Sequence, residues 1–189
     1  IVSWDDVNNA EIKLYDTTGE DALDDAAIRA DMRDNNGANA IADYSGNAKE
    51  AVDGAKSGQY KQTFTISGVE AGTYKLAIFK AKRDGKDPYV VTVMDVTVTD
   101  DNLSITEDIN MWLYGDVTND GVIDEKDATQ VTRYSLGKPS RIINDGSAYA
   151  KNQFVAANIV TDEIIDEKDA TQIIRRSVGK TSRLDNFTR

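Results

Sequence analysis

A duplicated segment near the end of the chain restricts its possible folds more than any other sequence feature. Residues 123–142 read IDEKDATQVTRYSLGKPSRI, and residues 165–184 read IDEKDATQIIRRSVGKTSRL. Fourteen of these 20 positions are identical at a constant offset of 42 residues. Chance does not produce such identity, so we interpret the two segments as an internal duplication and as two copies of one structural unit.

The residues that lead into the first copy have the spacing of an EF-hand calcium loop. Such a loop takes oxygen ligands from positions 1, 3, 5, 7, 9 and 12 and has glycine at position 6. Gly121 falls on position 6, where the sharp turn needs a residue free to adopt positive φ. Position 12 is an aspartate, whose side chain is shorter than the usual glutamate. The ligands predicted for residues 116–127 are Asp116, Thr118, Asp120, Val122 through its backbone carbonyl, Asp124 and Asp127.

The second loop, residues 158–169, is a weaker match to the same pattern. Glu163 stands where the first loop has glycine, and Val160 at position 3 has no side-chain oxygen. A pair of acidic turns that only cap helices is the alternative, and it is the more serious one for this loop. Otherwise the sequence predicts a second calcium ion, held by Asn158, Asp162, Ile164 through its carbonyl, Asp166 and Asp169.

Helices are predicted after each loop and between the two copies. Residues 128–136 and 170–178 contain no glycine or proline, and each run is followed by a glycine that suits a helix end. A third helix is predicted over residues 148–157. Ile123 and Ile165, at position 8 of the two loops, are expected to pair as a short strand.

These residues resemble a known family, the dockerins. Two calcium loops with aspartate at position 12, no helix before the first loop and near-identical following helices look like this module, and GDVTNDGVIDEKDATQVTRYSLG is close to its repeat pattern. Dockerins belong to cellulosomes, the extracellular multi-enzyme complexes that degrade plant cell-wall polysaccharides. They bind calcium and attach their parent protein to the cohesin modules of scaffoldins.

The resemblance implies a partner and a contact surface. The partner is a cohesin of a scaffoldin or of a cell-surface anchoring protein, and the protein is secreted to the bacterial cell surface. Family contacts carried over residue by residue fall on loop positions 10 and 11 and on the following helix. In this chain they are Glu125, Lys126, Thr129, Thr132 and Arg133, with Glu167, Lys168, Thr171, Ile174 and Arg175 in the second copy. Val131 and Ile173 are assigned to the core instead.

Alternating apolar residues before the repeats predict β-structure. Strands are expected near residues 10–14, 60–66, 74–78, 91–98 and 109–113. Residues 19–58 fit this pattern poorly: residues 24–34 could form one or two helical turns, and residues 35–58 read as loop. The segment FTISGVEAGTYKLAIFKA resembles the carboxypeptidase-regulatory-like β-sandwiches called X modules. The predicted fold class is therefore multi-domain: an N-terminal all-β immunoglobulin-like sandwich, residues 1–113, and a small all-α dockerin fold with two EF-hand-like calcium loops, residues 114–189.

Composition excludes several function classes. The chain has no histidine and no cysteine, so disulfides, zinc sites of these ligands and the usual catalytic base and thiol are missing. A net charge of −11 argues against nucleic acid as a partner. No apolar run approaches the roughly 20 residues of a membrane span. The chain begins at Ile1 without a signal sequence and is interpreted as a fragment of a longer protein.

Four functions are weighed at this stage, and calcium-dependent docking without catalysis is favoured. A calcium sensor would expose a methionine-rich groove, but the three methionines all lie outside the repeats. A glycosidase with two carboxylates is disfavoured, since no cleft-forming fold is visible. The alternative kept beside docking is a calcium-stabilised module whose N-terminal sandwich binds carbohydrate, with Trp4 and Trp112 as candidate stacking residues.

Overall fold

The chain folds as two compact units. The computed structural model describes residues 1–5, 10–45, 52–54, 56–81, 87–99 and 108–187. The first unit consists of residues 1–80 and 91–111. The second consists of residues 81–90 and 112–189, so ten residues from the middle of the chain belong with the duplicated segment.

The predicted fold class, an all-β sandwich followed by an all-α module, is wrong. In the described residues the chain is a mixed α/β fold with two β-sheets and four α-helices. Residues 24–34, for which the sequence allows one or two helical turns, contain the ten-residue helix α1, Asp25–Asp34. Asp24 caps α1 by accepting a hydrogen bond from the Ala27 N–H at 2.8 Å. Ile28 and Met32, one helical turn apart, are both fully buried, which explains why the helix is held.

The β-strands all lie in the first unit. They are β1 (Val2–Ser3), β2 (Glu11–Asp16), β3 (Ala42–Asp43), β4 (Val52–Asp53), β5 (Tyr60–Lys61), β6 (Gly72–Phe79) and β7 (Thr92–Val98). A four-stranded antiparallel sheet has the order β3-β2-β6-β7, and a three-stranded one has the order β1-β5-β4. The strand predicted over residues 60–66 is reduced to β5. The one predicted over residues 109–113 is reduced to isolated bridges at Asn110 and Leu113.

Helix α1 packs on β6 and β7 and is fastened by one buried carboxylate. Asp31 is 3 % exposed and accepts a hydrogen bond from the Tyr15 hydroxyl of β2 at 2.9 Å. The Asn39 backbone N–H and side-chain amide donate to the same carboxylate at 3.1 and 2.7 Å. Because a buried charge is tolerated only when it is hydrogen-bonded, these contacts hold the segment after α1 against the sheet.

The second unit is built from the duplicated segment. Its helices are α2 (Glu125–Ser135), α3 (Ala148–Ala157) and α4 (Glu167–Ser177), followed by a 3₁₀ turn over Arg183–Asn186. Helices α2 and α4 pack against each other, with Val131 and Ile173 fully buried as predicted. No helix in the described ranges is long and apolar enough to cross a membrane.

Replacing Tyr15 by phenylalanine is expected to loosen α1 from the sheet. The substitution removes one hydrogen bond to a buried charged acceptor, which lowers the free energy of unfolding of the first unit by about 1.5–3 kcal/mol. Urea unfolding monitored by circular dichroism measures this change. Tyr60→Phe is the control, because the Tyr60 ring is 38 % exposed. Equal losses in the two variants would contradict the role given to Asp31.

Candidate functional site

The first loop is folded around the carboxylate of Asp116. This side chain is 1 % exposed, and it accepts hydrogen bonds from the backbone N–H groups of Asp120 at 3.0 Å and Gly121 at 2.8 Å. The neighbouring Val117 is fully buried in the core of the second unit. Burial of Val117 fixes the start of the loop, and the Asp116 carboxylate binds the backbone of residues 120 and 121 at the turn.

Asp127 closes the same loop from its other end. Its Oδ1 accepts from the Thr118 N–H at 2.9 Å, and its Oδ2 accepts from the Asp124 N–H at 3.0 Å. Asp124 in turn accepts from the Lys126 N–H at 2.7 Å, so that Asp124 and Asp127 form a capping box at the start of α2. The capping interpretation and the metal-ligand interpretation are compatible, because a carboxylate has about four lone-pair sites and these bonds use only some of them.

The second loop repeats this arrangement. Asp169 accepts from the Val160 N–H at 2.8 Å and from the Asp166 N–H at 2.9 Å. Asp166 accepts from the Lys168 N–H at 2.8 Å and caps α4. Position 1 differs, since the amide oxygen of Asn158 accepts from the Thr161 N–H at 2.8 Å.

Both loops have left-handed backbone at positions 4 and 6. In the first loop these are Asn119 and Gly121, with φ of 52° and 85°, and both residue types tolerate this region. In the second loop they are Thr161 and Glu163, with φ of 60° and 66°. A β-branched threonine in this region is strained, so the second loop keeps the shape of the first at an energetic cost.

Electrostatic repulsion is concentrated at the first loop. Burial, followed by repulsion from Asp127 and Asp120, raises the pKa of Asp116 to about 7, against the opposing effect of its two backbone hydrogen bonds. Burial also raises the pKa of Asp127 and of Asp169. A loop with this charge distribution is stabilised by a proton or by a bound cation.

The chemistry of the donor set fits a calcium ion. All candidate ligands are oxygens, which hard cations prefer. The hydroxyl oxygen of Thr118, at position 3, is buried without a hydrogen bond of normal geometry, although it lies near the Asp127 carboxylate. In the described part of the chain, however, no three acidic side chains are gathered closely enough to form a ready metal cage. The residue types fit calcium, and the hydrogen bonds described above use some of the lone pairs of their oxygen atoms.

A lysine at position 11 pairs with two of these carboxylates in each loop. The Lys126 ammonium lies 3.5 Å from an Asp120 oxygen and 3.1 Å from an Asp124 oxygen. The Lys168 ammonium lies 3.3 Å from an oxygen of Asp162 and 3.3 Å from one of Asp166. The hydrogen bond to Asp124, and that to Asp166 in the second loop, are the largest causes that raise the pKa of the two lysines.

The position-8 residues behave differently from the prediction. Ile123 and Ile165 are 8 % and 4 % exposed and belong to the core cluster of the second unit. No bridge joins them among the described residues, so the predicted strand pairing is wrong. The two residues contribute buried side chains to the core, and the backbone pairing that was predicted for them is not formed. Val122 and Ile164, the position-7 residues whose carbonyls are candidate ligands, have side chains that are 56 % and 60 % exposed.

All ten residues predicted as partner contacts are exposed on the second unit. Ile174 is 40 % exposed and is the one large apolar side chain among them. Two of the ten also have a structural role. The Arg133 Nε donates to the Pro139 carbonyl, and the Arg175 Nε donates to the Thr181 carbonyl, so each arginine holds the turn that follows its helix.

Sequence reasoning missed several of the contacts that hold the repeats. The Gln130 side chain accepts from the Arg141 N–H, and Gln172 accepts from the Arg183 N–H, both at 2.9 Å. The 42-residue spacing of these pairs is the signal that could have revealed them. Arg176 has no such counterpart: it pairs with Asp87, and nothing in the repeat indicates that contact.

Trp112 is not available for stacking on a ligand. It is 1 % exposed in the core of the second unit, with its ring 5.0 Å from that of Tyr149 in an edge-on contact. The Trp4 ring has the Lys56 ammonium 5.7 Å from its centroid. Burial of Trp112 therefore removes one of the two stacking residues predicted for the carbohydrate-binding alternative.

A scan against models of known protein families finds no match to this chain, and a search of curated proteins finds no similar sequence. The resemblance to dockerins consequently depends on the residues of the repeats themselves.

Glu163→Gly is expected to relax the second loop. Glycine adopts positive φ without a steric penalty, so the substitution raises the free energy of unfolding of the second unit by about 1 kcal/mol. Chemical denaturation followed by circular dichroism tests this in the absence of added metal. Gly121→Ala is the matched opposite and is expected to cost a similar amount. A destabilised Glu163→Gly protein would show that the glutamate side chain contributes more than its backbone strain costs.

Proposed function

We propose that this chain is a calcium-dependent docking module of the dockerin type, which binds a cohesin and performs no catalysis. One observation carries the proposal: the two loops share the same left-handed positions and carboxylate hydrogen bonds, although only the first has a glycine at position 6. Retention of a strained backbone is a sign of a functional constraint. The functional constraint that we propose is the placement of the oxygen atoms that would hold a calcium ion in each loop.

Calcium would be held by the oxygen donors of the two loops. In the first loop these are the side chains of Asp116, Thr118, Asp120, Asp124 and Asp127 with the Val122 carbonyl; in the second they are Asn158, Asp162, Asp166 and Asp169 with the Ile164 carbonyl. When bound, the ion neutralises carboxylates that repel one another. The capping hydrogen bonds of Asp127 and Asp169 couple each loop to the helix behind it, so order in the loop extends to α2 and α4.

The docking surface is the exposed face of α2 and α4. Its side chains recur at 42-residue spacing, so that Glu125 and Glu167, or Thr129 and Thr171, present the same chemistry twice. Ile174 adds an apolar side chain to the face of α4, and an exposed large apolar residue favours a protein interface. Thr132 takes its place in α2.

A calcium sensor explains the observations less well. Sensors respond by opening a methionine-rich groove. Met32 and Met111 are 0 % and 1 % exposed and belong to the first unit, and the remaining methionine is in β7. Calcium in this chain therefore has a structural role, and recognition is left to the helix surface.

Removal of calcium is expected to reduce the helix content of the second unit. A ligand present at a thousand times its dissociation constant stabilises the native state by about 4 kcal/mol. Addition of EDTA should lower the thermal midpoint and the helical signal in circular dichroism, and excess calcium should restore both. Asp127→Ala should reduce this response to the part that the second loop supplies, whereas the control Val160→Ala should keep it in full, because Val160 has no ligand oxygen. An unchanged melting curve and helical signal after addition of EDTA would contradict the proposal.

Ile174→Asp is expected to weaken cohesin binding at least about tenfold while leaving the fold intact. A charge at the centre of an apolar contact must be desolvated, and buried anchors dominate interface energies. The measurement is calorimetric titration of a cohesin panel in calcium. Thr132→Asp, at the equivalent position of α2, is the matched control and should have a smaller effect. Equal effects of the two substitutions would mean that the helices are used interchangeably.

A further inference from the structure

We infer that Lys126 and Lys168 are built-in competitors of calcium, which neutralise the loop carboxylates of the metal-free protein and must be displaced when the ion binds. The inference rests on the proposed function, since it takes the two loops to be calcium sites. It adds an element of regulation that the ligand set alone does not contain.

The geometry of the two lysines is the first argument. Each ammonium lies within 3.5 Å of two carboxylates, those of loop positions 5 and 9, and both are candidate calcium ligands. The carboxylates have lone pairs for both cations, but an ammonium this close to a bound divalent ion is repelled by it, so lysine and calcium compete through their charges. The second copy, whose residues 165–172 are identical to 123–130, repeats this geometry.

The place of the lysines in their helices is the second argument. Lys126 and Lys168 are the second residues of α2 and α4. The N-terminus of a helix has a partial positive charge, which disfavours a cation in the first turn. Both copies nevertheless have lysine there. The carboxylates of Asp120 and Asp124, or of Asp162 and Asp166, supply the compensating negative charge.

The arrangement has two consequences for the loops. In the metal-free state the ammonium supplies a counter-charge to the carboxylates at positions 5 and 9. In the calcium-bound state the ammonium is released from positions 5 and 9, and it joins Glu125 and Thr129 on the exposed face. Each lysine therefore lowers calcium affinity while helping the metal-free loop to stay folded.

The test is to titrate the whole chain with calcium by isothermal calorimetry after chelator treatment. Lys126→Met should tighten binding at the first loop by about two- to fivefold, which is the size expected for an exposed ion pair. Lys168→Met should do the same at the second loop only. The gain should shrink in high salt, because exposed ion pairs are screened.

Lys138→Met is the matched control. Lys138 is exposed and follows α2, so this substitution removes the same formal charge outside the loop. It should leave both affinities unchanged. Lys126→Gln repeats the measurement with a polar side chain in case the methionine variant aggregates. Unchanged or weaker calcium binding in both Lys126 variants, or an equal gain in Lys138→Met, would overturn the inference. A wild-type chain that takes up no calcium would instead overturn the proposed function, and the inference with it.

Discussion

The buried aspartate at loop position 12 is the interaction on which the second unit depends. Asp127 and Asp169 are fully buried, and each divides its two oxygens between the start of its loop and the start of its helix. One carboxylate thereby fixes the loop's closure and the helix's first turn together. Burial of such a group without these bonds would be costly, so loop and helix order as one element.

The carboxylates that hold the loops together also place several negative charges close to one another. Carboxylates that tie the backbone together also repel one another, and burial makes the repulsion stronger at Asp116, whose pKa rises to about 7. A cation resolves the conflict. The lysine at position 11 pairs with the carboxylates of positions 5 and 9, and its exposed, flexible side chain is a weak counter-ion. The loops are thus suited to calcium without being a preformed cage.

The first unit has a long insertion between β2 and β6, and buried contacts of α1 hold this insertion on the sheet. Asp31 of α1 collects hydrogen bonds from Tyr15 on β2 and from Asn39 in the following segment. Ile28 and Met32 of the same helix join an apolar cluster with Phe79 and Val93. Polar contacts with the sheet and a narrow apolar face together hold this segment as a helix layered on the sheet.

The sequence by itself determined the features that depend on neighbouring residues. The duplication, the loop positions and helices in all three predicted places of the second unit could be read off, because caps, turns and helical spacing act within about a dozen residues. The strands β2, β6 and β7 were likewise visible in their alternation. The ligand and partner roles assigned to the loop and helix residues stay predictions.

Only the tertiary structure decided what depends on residues distant in the sequence. Helix α1 is held by Tyr15 and the sheet, and residues 81–90 belong with the second unit through contacts such as that of Asp87 with Arg176. Local propensity contains no information about such partners, because the free energy that selects them comes from burial and charge pairing after the chain has folded.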